Sequence, residues 1–248
     1  MKIIEVQNYD QMSQQAAKII IETVQDRPQT VLGLATGGTP LGTYTYLVRD
    51  HQLNGTSYKQ VHTVNLDEYV GKAPSDEQSY SYYMNKHLFE PANIPKTQTY
   101  LPNGLAANLE EEAERYTHTL QSLGGVDLQL LGIGKNGHIG FNEPGTSFDS
   151  ETHVVQLTPS TRQANAKYFS SESEVPTQAI TLGIATIMKA KRILLIVSGI
   201  EKAEILYQCL YGQIDEQIPA SILQKHPHVT IIADQEALSV VNQKAEAH

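Results

Sequence analysis

The chain has 248 residues, 40% of them hydrophobic, with 18 basic and 27 acidic side chains and a formal net charge of −9. That length supports one substantial core, and an acidic balance without a basic stripe argues against a nucleic-acid binder. The lone cysteine, Cys209, cannot form an internal disulfide; no apolar run approaches the roughly 20 residues that span a bilayer, and MKIIEVQNYDQ turns polar too early for a signal-peptide core, so cytoplasm is the expected location.

Apolar, β-branched runs alternate with helical patterns along the chain. Thr30–Ala35 (TVLGLA) predicts a buried strand, and Leu41–His51 a helix after a Gly-rich turn. Val61–Leu66 predicts a second strand, followed by helices over Tyr80–Phe89 and Leu109–Leu123. Val126–Ile133 predicts a strand that ends in glycines, and His153–Leu157 a short strand. A helix is expected over Ala179–Ala190, a strand over Arg192–Val197, a helix over Glu201–Tyr211 and a strand over Val229–Ala233. Cys209 falls in the apolar stripe of that last helix with Ile205, Leu206 and Leu210, which fits a packed thiol better than a nucleophile.

This rhythm predicts an α/β fold: a Rossmann-like, mostly parallel sheet with helices on both faces, in a single domain spanning 1–248. Pro144 to Pro176 is the stretch weakest in regular pattern, as expected of a lid or binding loop. In open α/β sheets ligands bind at the carboxyl ends of the strands, so the residues after each strand are where chemistry is expected.

Three strand ends stand out. After the first comes Thr36-Gly37-Gly38-Thr39-Pro40, leading into a helix. Two glycines, two hydroxyls and a helix N-terminus can make a phosphate cradle. The same residues also fit an ordinary turn, with Thr39 as N-cap and Pro40 at the first helical position. The loop has neither the Gly-Lys-Ser/Thr of a P-loop nor the spacing of a dinucleotide fingerprint. After the second strand come Asp67 and Glu68, whose side chains point opposite ways if the backbone is extended. One can face a cleft as a base for a carbon acid while the other pairs or solvates; a helix cap or a surface ion pair is the plainer alternative. After the third, four glycines (132, 134, 137 and 140) bracket His138, with Asn136 and Glu143 beside it. A histidine there can move protons near neutral pH, with its neighbours orienting the ring, or can be a structural hydrogen-bonder. The His-x4-Glu spacing, without a second His or Cys nearby, matches no zinc pattern.

LGLATGGTP, NLDEY, GIGKNGHIGFNEPGTS and TRQANAKYF occur in this order, and over nearly the whole chain the sequence resembles the glucosamine-6-phosphate deaminases (glucosamine-6-phosphate isomerases). GHIGFNEP is the specific element. The related 6-phosphogluconolactonases share a Gly-His loop without NEP after it.

The resemblance implies a cofactor-free enzyme that takes a small sugar phosphate, with no metal and no nucleic-acid or membrane partner. It would turn glucosamine 6-phosphate and water into fructose 6-phosphate and ammonia. It implies Asp67 as the base moving the C2 proton to C1, His138 as the ring-opening shuttle, and Asn136 and Glu143 as the groups that orient and tune it. Many relatives carry Asp at the Asn136 position, which leaves Glu143 as the expected charge partner. For the phosphate the matching residues are Thr36, Gly37, Gly38, Thr39, Lys167 and Lys202. Lys167 stands where several relatives have Arg, so charge is kept and the bidentate fork lost. Some relatives are hexamers switched on by an acetylated amino-sugar phosphate. Here their effector positions are His153 and Val155, and Val155 cannot bind phosphate, so such control is expected to be absent. Whether the chain is a monomer or a homo-oligomer is left open. A lactone hydrolase on the same scaffold, or a non-catalytic sugar-phosphate sensor, are the competing readings.

Overall fold

The computed structural model describes residues 1–166 and 169–246. The short apolar runs become buried strands: β1 (Lys2–Val6), β2 (Val31–Leu34), β3 (His62–Asn65), β4 (Asp67–Tyr69), β5 (Thr99–Tyr100), β6 (Leu128–Leu131), β7 (His153–Gln156), β8 (Gln178–Thr181), β9 (Ile193–Val197) and β10 (Val229–Asp234). The helices between them are α1 (Tyr9–Asp26), α2 (Gly38–Asn54), α3 (Tyr80–Met84, continued by a π turn over Asn85–Phe89), α4 (Leu109–Ser122), α5 (Pro159–Asn165), α6 (Ile184–Met188), α7 (Ala203–Tyr211) and α8 (Ser239–Glu246).

Among the described residues, seven strands pair in parallel in the order β1-β10-β9-β6-β2-β3-β5. Both faces are covered, so alternate residues of one strand enter different cores. Leu194 and Ile196 of β9 pack with α1, α2 and the α3 region, while Ile193, Leu195 and Val197 pack with α4, α6 and α7. The expected parallel sheet with helices on both faces is the one found. No helix among the described residues is long and apolar enough to cross a membrane.

The strand order places the site. From β2 the chain steps one way to β3 and β5, and the strands β6, β9 and β10 lie the other way. The connections diverge between β2 and β6, which leaves a crevice at their carboxyl ends. Four neighbouring strands, β9, β6, β2 and β3, carry to that edge every loop singled out in the sequence.

One element differs from expectation. The helix predicted over Ala179–Ala190 is instead β8 followed by α6. Residues 178–181 complete a second, antiparallel sheet, β4-β8-β7, in which Asp67 pairs with Thr181 and His153 also pairs with Thr181. Pairing on both edges overrides the local helical pattern. Gly183 then ends the strand where a Cβ would lie 2.1 Å from the Glu151 carbonyl oxygen. The irregular stretch after Pro144 holds β7 and α5, so part of it is anchored in this sheet. Helices α1, α5 and α8, strand β1 and the short β4 and β5 had no counterpart in the predicted elements.

Candidate active site

The turn after β2 begins at Ala35, and Gly37 adopts φ 99°, a left-handed conformation that only glycine takes at low cost. That conformation makes Gly37 the N-cap, with no side-chain cap. Helix α2 therefore starts at Gly38, ahead of the alternative start in which Thr39 caps and Pro40 opens the helix. Thr36, Gly37, Gly38 and Thr39 all border a cleft of about 670 Å³. The backbone of this turn is braced by phenols: Tyr44 donates to the Ala35 carbonyl and Tyr83 to that of Gly37 at 2.7 Å.

At the tip of β3 the two adjacent acids separate. Glu68 turns away and accepts from the N–H groups of Tyr69, Tyr80 and Ser81 at 2.8, 2.9 and 2.9 Å, the last two at the N-terminus of α3. Burial pushes its carboxyl up to about 7, against the pull of those three donors. Asp67 lines the cleft and is 6% exposed. Its carboxylate accepts no hydrogen bond from the described residues, and burial, then the charge of Glu68, pushes its pKa up to about 8. A buried carboxylate without hydrogen-bond donors is a stronger base than one in solution.

The loop after β6 carries His138 on the same cleft. Glycine is required at two places in it. A Cβ on Gly134 would sit 2.2 Å from the His138 ring, and Gly140 takes φ 58° with the Asp67 carboxylate 3.6 Å from where its Cβ would be. Gly140 thus brings the histidine loop against the acid. Asn142 pins the loop, donating to the Ile139 and Leu182 carbonyls at 2.9 Å each.

The ring is wired through Asn136. Glu143 accepts from Asn136 Nδ2 at 2.7 Å and from the Thr161 hydroxyl, so each carboxylate oxygen takes a hydrogen bond. Asn136 Oδ1 therefore faces the ring and meets His138 Nδ1 at 2.7 Å. An amide oxygen has no proton to give, so Nδ1 carries the hydrogen and Nε2 keeps its lone pair. Glu143, the charge partner expected from the sequence, stands 3.7 Å from Nδ1, with Asn136 bridging the two. Burial lowers the imidazole pKa and the nearby Lys202 lowers it further, while Glu143 opposes both. The neutral ring is thus the form held at neutral pH.

Lys202, at the tip of β9, lines the cleft and donates to the Ile133 carbonyl at 2.8 Å, tying the β9 end to the β6 end. Lys167 lies outside the described residues. The other site residues expected from the sequence converge on this cleft or, for Glu143, directly behind it.

The sequence profile described as glucosamine-6-phosphate isomerases/6-phosphogluconolactonase matches residues 5–232. The chain belongs to that family. A glucosamine-6-phosphate deaminase from a Geobacillus species is 60% identical over 241 residues, covering 97% of this chain and 96% of the relative. Glucosamine-6-phosphate deaminase 1 of Bacillus subtilis is 52% identical over 240 residues, covering 97% and 99%. A solved structure described as a monomeric glucosamine-6-phosphate deaminase superposes with a TM-score of 0.95 at 52% identity, over 97% of this chain and 100% of that one. The 6-phosphogluconolactonase of Trypanosoma cruzi, at 22% identity and a TM-score of 0.77 over 96% of each chain, shares the fold.

Within this family fold, several cleft residues had no signal as isolated motifs. Tyr9, Tyr80, Thr161, Asn165 and Ser198 all border the cleft. Tyr9 comes from α1, and Thr161 and Asn165 from α5, elements whose positions depend on tertiary packing. The 13 tyrosines were the available hint, since a phenol packed against the fold seeks a partner and three of them, one fully buried, find it in the turn after β2 and the first turn of α2.

Proposed function

We propose that this chain converts glucosamine 6-phosphate and water to fructose 6-phosphate and ammonia. One observation carries the reading: a buried acid that accepts no hydrogen bond from the described residues, Asp67, and a neutral imidazole, His138, border one cleft whose wall includes the Gly37–Gly38 turn and the N-terminus of α2. The names of relatives 52% and 60% identical over nearly their full lengths support the substrate.

The phosphate sits at the Thr36–Thr39 turn, where unpaired N–H groups and the helix dipole favour an anion despite the net charge of −9. Lys202 and Lys167 add positive charge. Binding this remote group orients the reacting carbons. His138 Nε2 takes the anomeric O1 proton and returns it to the ring oxygen, and the C1–O5 bond breaks to give the aldehyde. Glu143, through Asn136, steadies the imidazolium that forms in between. Asp67 removes the C2 proton, the C2–H electrons become the C1=C2 bond, the C1=O electrons move to O1, and O1 takes a proton from the substrate's own ammonium group to give the enolamine. Asp67 returns the proton to C1, leaving an iminium at C2. Water adds at C2, and ammonia departs as the ketone forms. Every electron pair in this sequence comes from the substrate or water.

Within Pro144–Pro176, helix α5 is proposed to move as part of a lid over the bound sugar, because Thr161 contacts Glu143 and Asn165 lines the cleft. Solution in the cytoplasm is the proposed setting. A lactone hydrolase needs an activated water and no carbon base, so a buried Asp67 with no donor among the described residues favours deamination over that alternative. Incubating the purified chain with glucosamine 6-phosphate should release ammonia and fructose 6-phosphate in equal amounts; turnover of a phosphogluconolactone with no ammonia from the amino sugar would reverse the assignment.

A further inference from the structure

Helix α1 sends one side chain into the turn after β2. The Tyr9 hydroxyl donates to the Gly38 carbonyl at 2.9 Å and accepts from the Gly42 N–H at 2.8 Å. Gly38 C=O and Gly42 N–H are the acceptor and donor of one α-helical rung, i and i+4. A phenol from another helix therefore stands astride a rung in the first turn of α2. Glycine at 42 is what admits it. A Cβ there would lie 2.3 Å from Ser13 Oγ and 3.0 Å from the Tyr9 hydroxyl. Tyr9 also borders the cleft, 38% exposed.

We propose that Tyr9 is a positioning residue for the phosphate turn, setting the direction of the Gly38–Thr39 peptide through its bridge between Gly38 and Gly42. In a trans peptide the C=O and the following N–H point opposite ways. Holding the Gly38 carbonyl toward the phenol aims the Thr39 N–H out of the helix N-terminus, where an anion can take it. Tyr83 does the same for the peptide that carries the Gly38 N–H. Accepting from Gly42 while donating to Gly38 polarises the hydroxyl and strengthens both bonds. The Gly38–Gly42 rung lies in the first turn of α2, so the helix survives without the hydroxyl. The Gly38 carbonyl then loses its second, sideways partner, and the Thr39 N–H loses its aim.

The proposal rests on the reading of this turn as the phosphate end of the cleft. The test compares Tyr9→Phe with Tyr46→Phe. Tyr46 also bridges α1 and α2, donating to Asp10 at 2.9 Å, but it does not border the cleft. The readouts are kcat, KM for glucosamine 6-phosphate, the inhibition constant of inorganic phosphate and Tm. Tyr9→Phe should raise both KM and the phosphate inhibition constant about fivefold, the effect of one misaligned hydrogen bond, with kcat largely kept. Gly42→Ala, which pushes the phenol away, should do the same. Tyr46→Phe should leave the phosphate constant unchanged. Equal effects of Tyr9→Phe and Tyr46→Phe would mean general loosening of α1 on α2 and overturn the proposal, as would an unchanged phosphate constant in a folded Tyr9→Phe. If inorganic phosphate fails to compete in the unaltered enzyme, the turn is not the anion site and both readings fall.

Discussion

Asp67 and His138 stand on the same cleft in opposite settings. The acid accepts no hydrogen bond from the described residues, and its basicity comes from what is withheld, with burial the largest cause. The imidazole is held by a chain of bonds from Thr161 through Glu143 and Asn136. Burial shifts both groups, raising the acid and lowering the imidazole, but only the imidazole is also wired. The difference suits the tasks. A base for a weakly acidic C–H must be strong, and desolvation makes it so. A shuttle between two oxygens of one sugar must be aimed, and the chain fixes both the ring plane and which nitrogen is free.

Removing the acid should give the largest effect. Asp67→Asn is expected to lower kcat by about 10³-fold or more, since no neighbouring base replaces it, while inorganic phosphate still competes for the cleft. Near-normal kcat would show that Asp67 is not the base. The same substitution should stabilise the fold. The folded carboxyl titrates at about 8 against an ordinary value of 3.8, so the folded chain holds the proton more tightly. The contribution to stability is full below the ordinary value and is lost as pH rises toward and through about 8. Asp67→Asn should therefore stabilise the fold most at pH 8 and above, by an amount on the order of 1 kcal/mol, and flatten the fall of Tm with pH. In the unaltered enzyme kcat/KM should rise with pH through that region as the base loses its proton.

The wired side should break more selectively. His138→Gln is expected to cost about 10²-fold on the cyclic substrate and much less on a pre-opened one, because only ring opening uses the shuttle. Equal losses on both would reject that role. Asn136→Asp sharpens the contrast further. It would place a full charge at Nδ1, where the ring now meets a neutral amide oxygen at 2.7 Å. The imidazole pKa, now held below its ordinary value, should rise by about one unit or more, read from the pH titration of the His138 ring by NMR. An unmoved titration would mean that Glu143, at 3.7 Å, already sets the ring.

The same division separates what was legible in the sequence from what was not. The strand ends were legible because a buried parallel strand is a short apolar run that must stop at a turn, and their glycines and ionisable residues stand out against it. Asp67, His138 and the Thr36–Thr39 turn were found in this way. Ala179–Ala190 was misread because its residues suit a helix, and only pairing with β4 and β7 makes Gln178–Thr181 a strand. The order of the wire was also hidden. Sequence spacing allowed Glu143 to reach His138 directly, and only the fold of the loop placed Asn136 between them. Tyr9 was out of reach for the same reason, since it is 29 residues from the carbonyl it holds.

The smallest expected effect tests a region set apart from both proton handlers. Strand β7 carries His153 and Val155, the positions at which the family resemblance would put effector contacts. Val155 packs against the cluster of Tyr69, Phe141, Leu157 and Ala179, and its own side chain has no donor to offer a phosphate. His153 Nδ1 is engaged with the Glu151 carbonyl at 2.8 Å. β7 is also zipped to β8 through four residue pairs, so β8, which pairs with Asp67 of β4 on its other edge, cannot shift independently of it. An effector acting on Asp67 through the β7–β8 pairing would have to grip β7, where Val155 offers no donor and one His153 ring nitrogen is already engaged. N-acetylglucosamine 6-phosphate should therefore change kcat/KM by less than about twofold across a full titration, apart from competition at the cleft itself. Strong activation would mean that an anion site exists near this sheet and that the desolvation holding Asp67 basic is adjustable from outside.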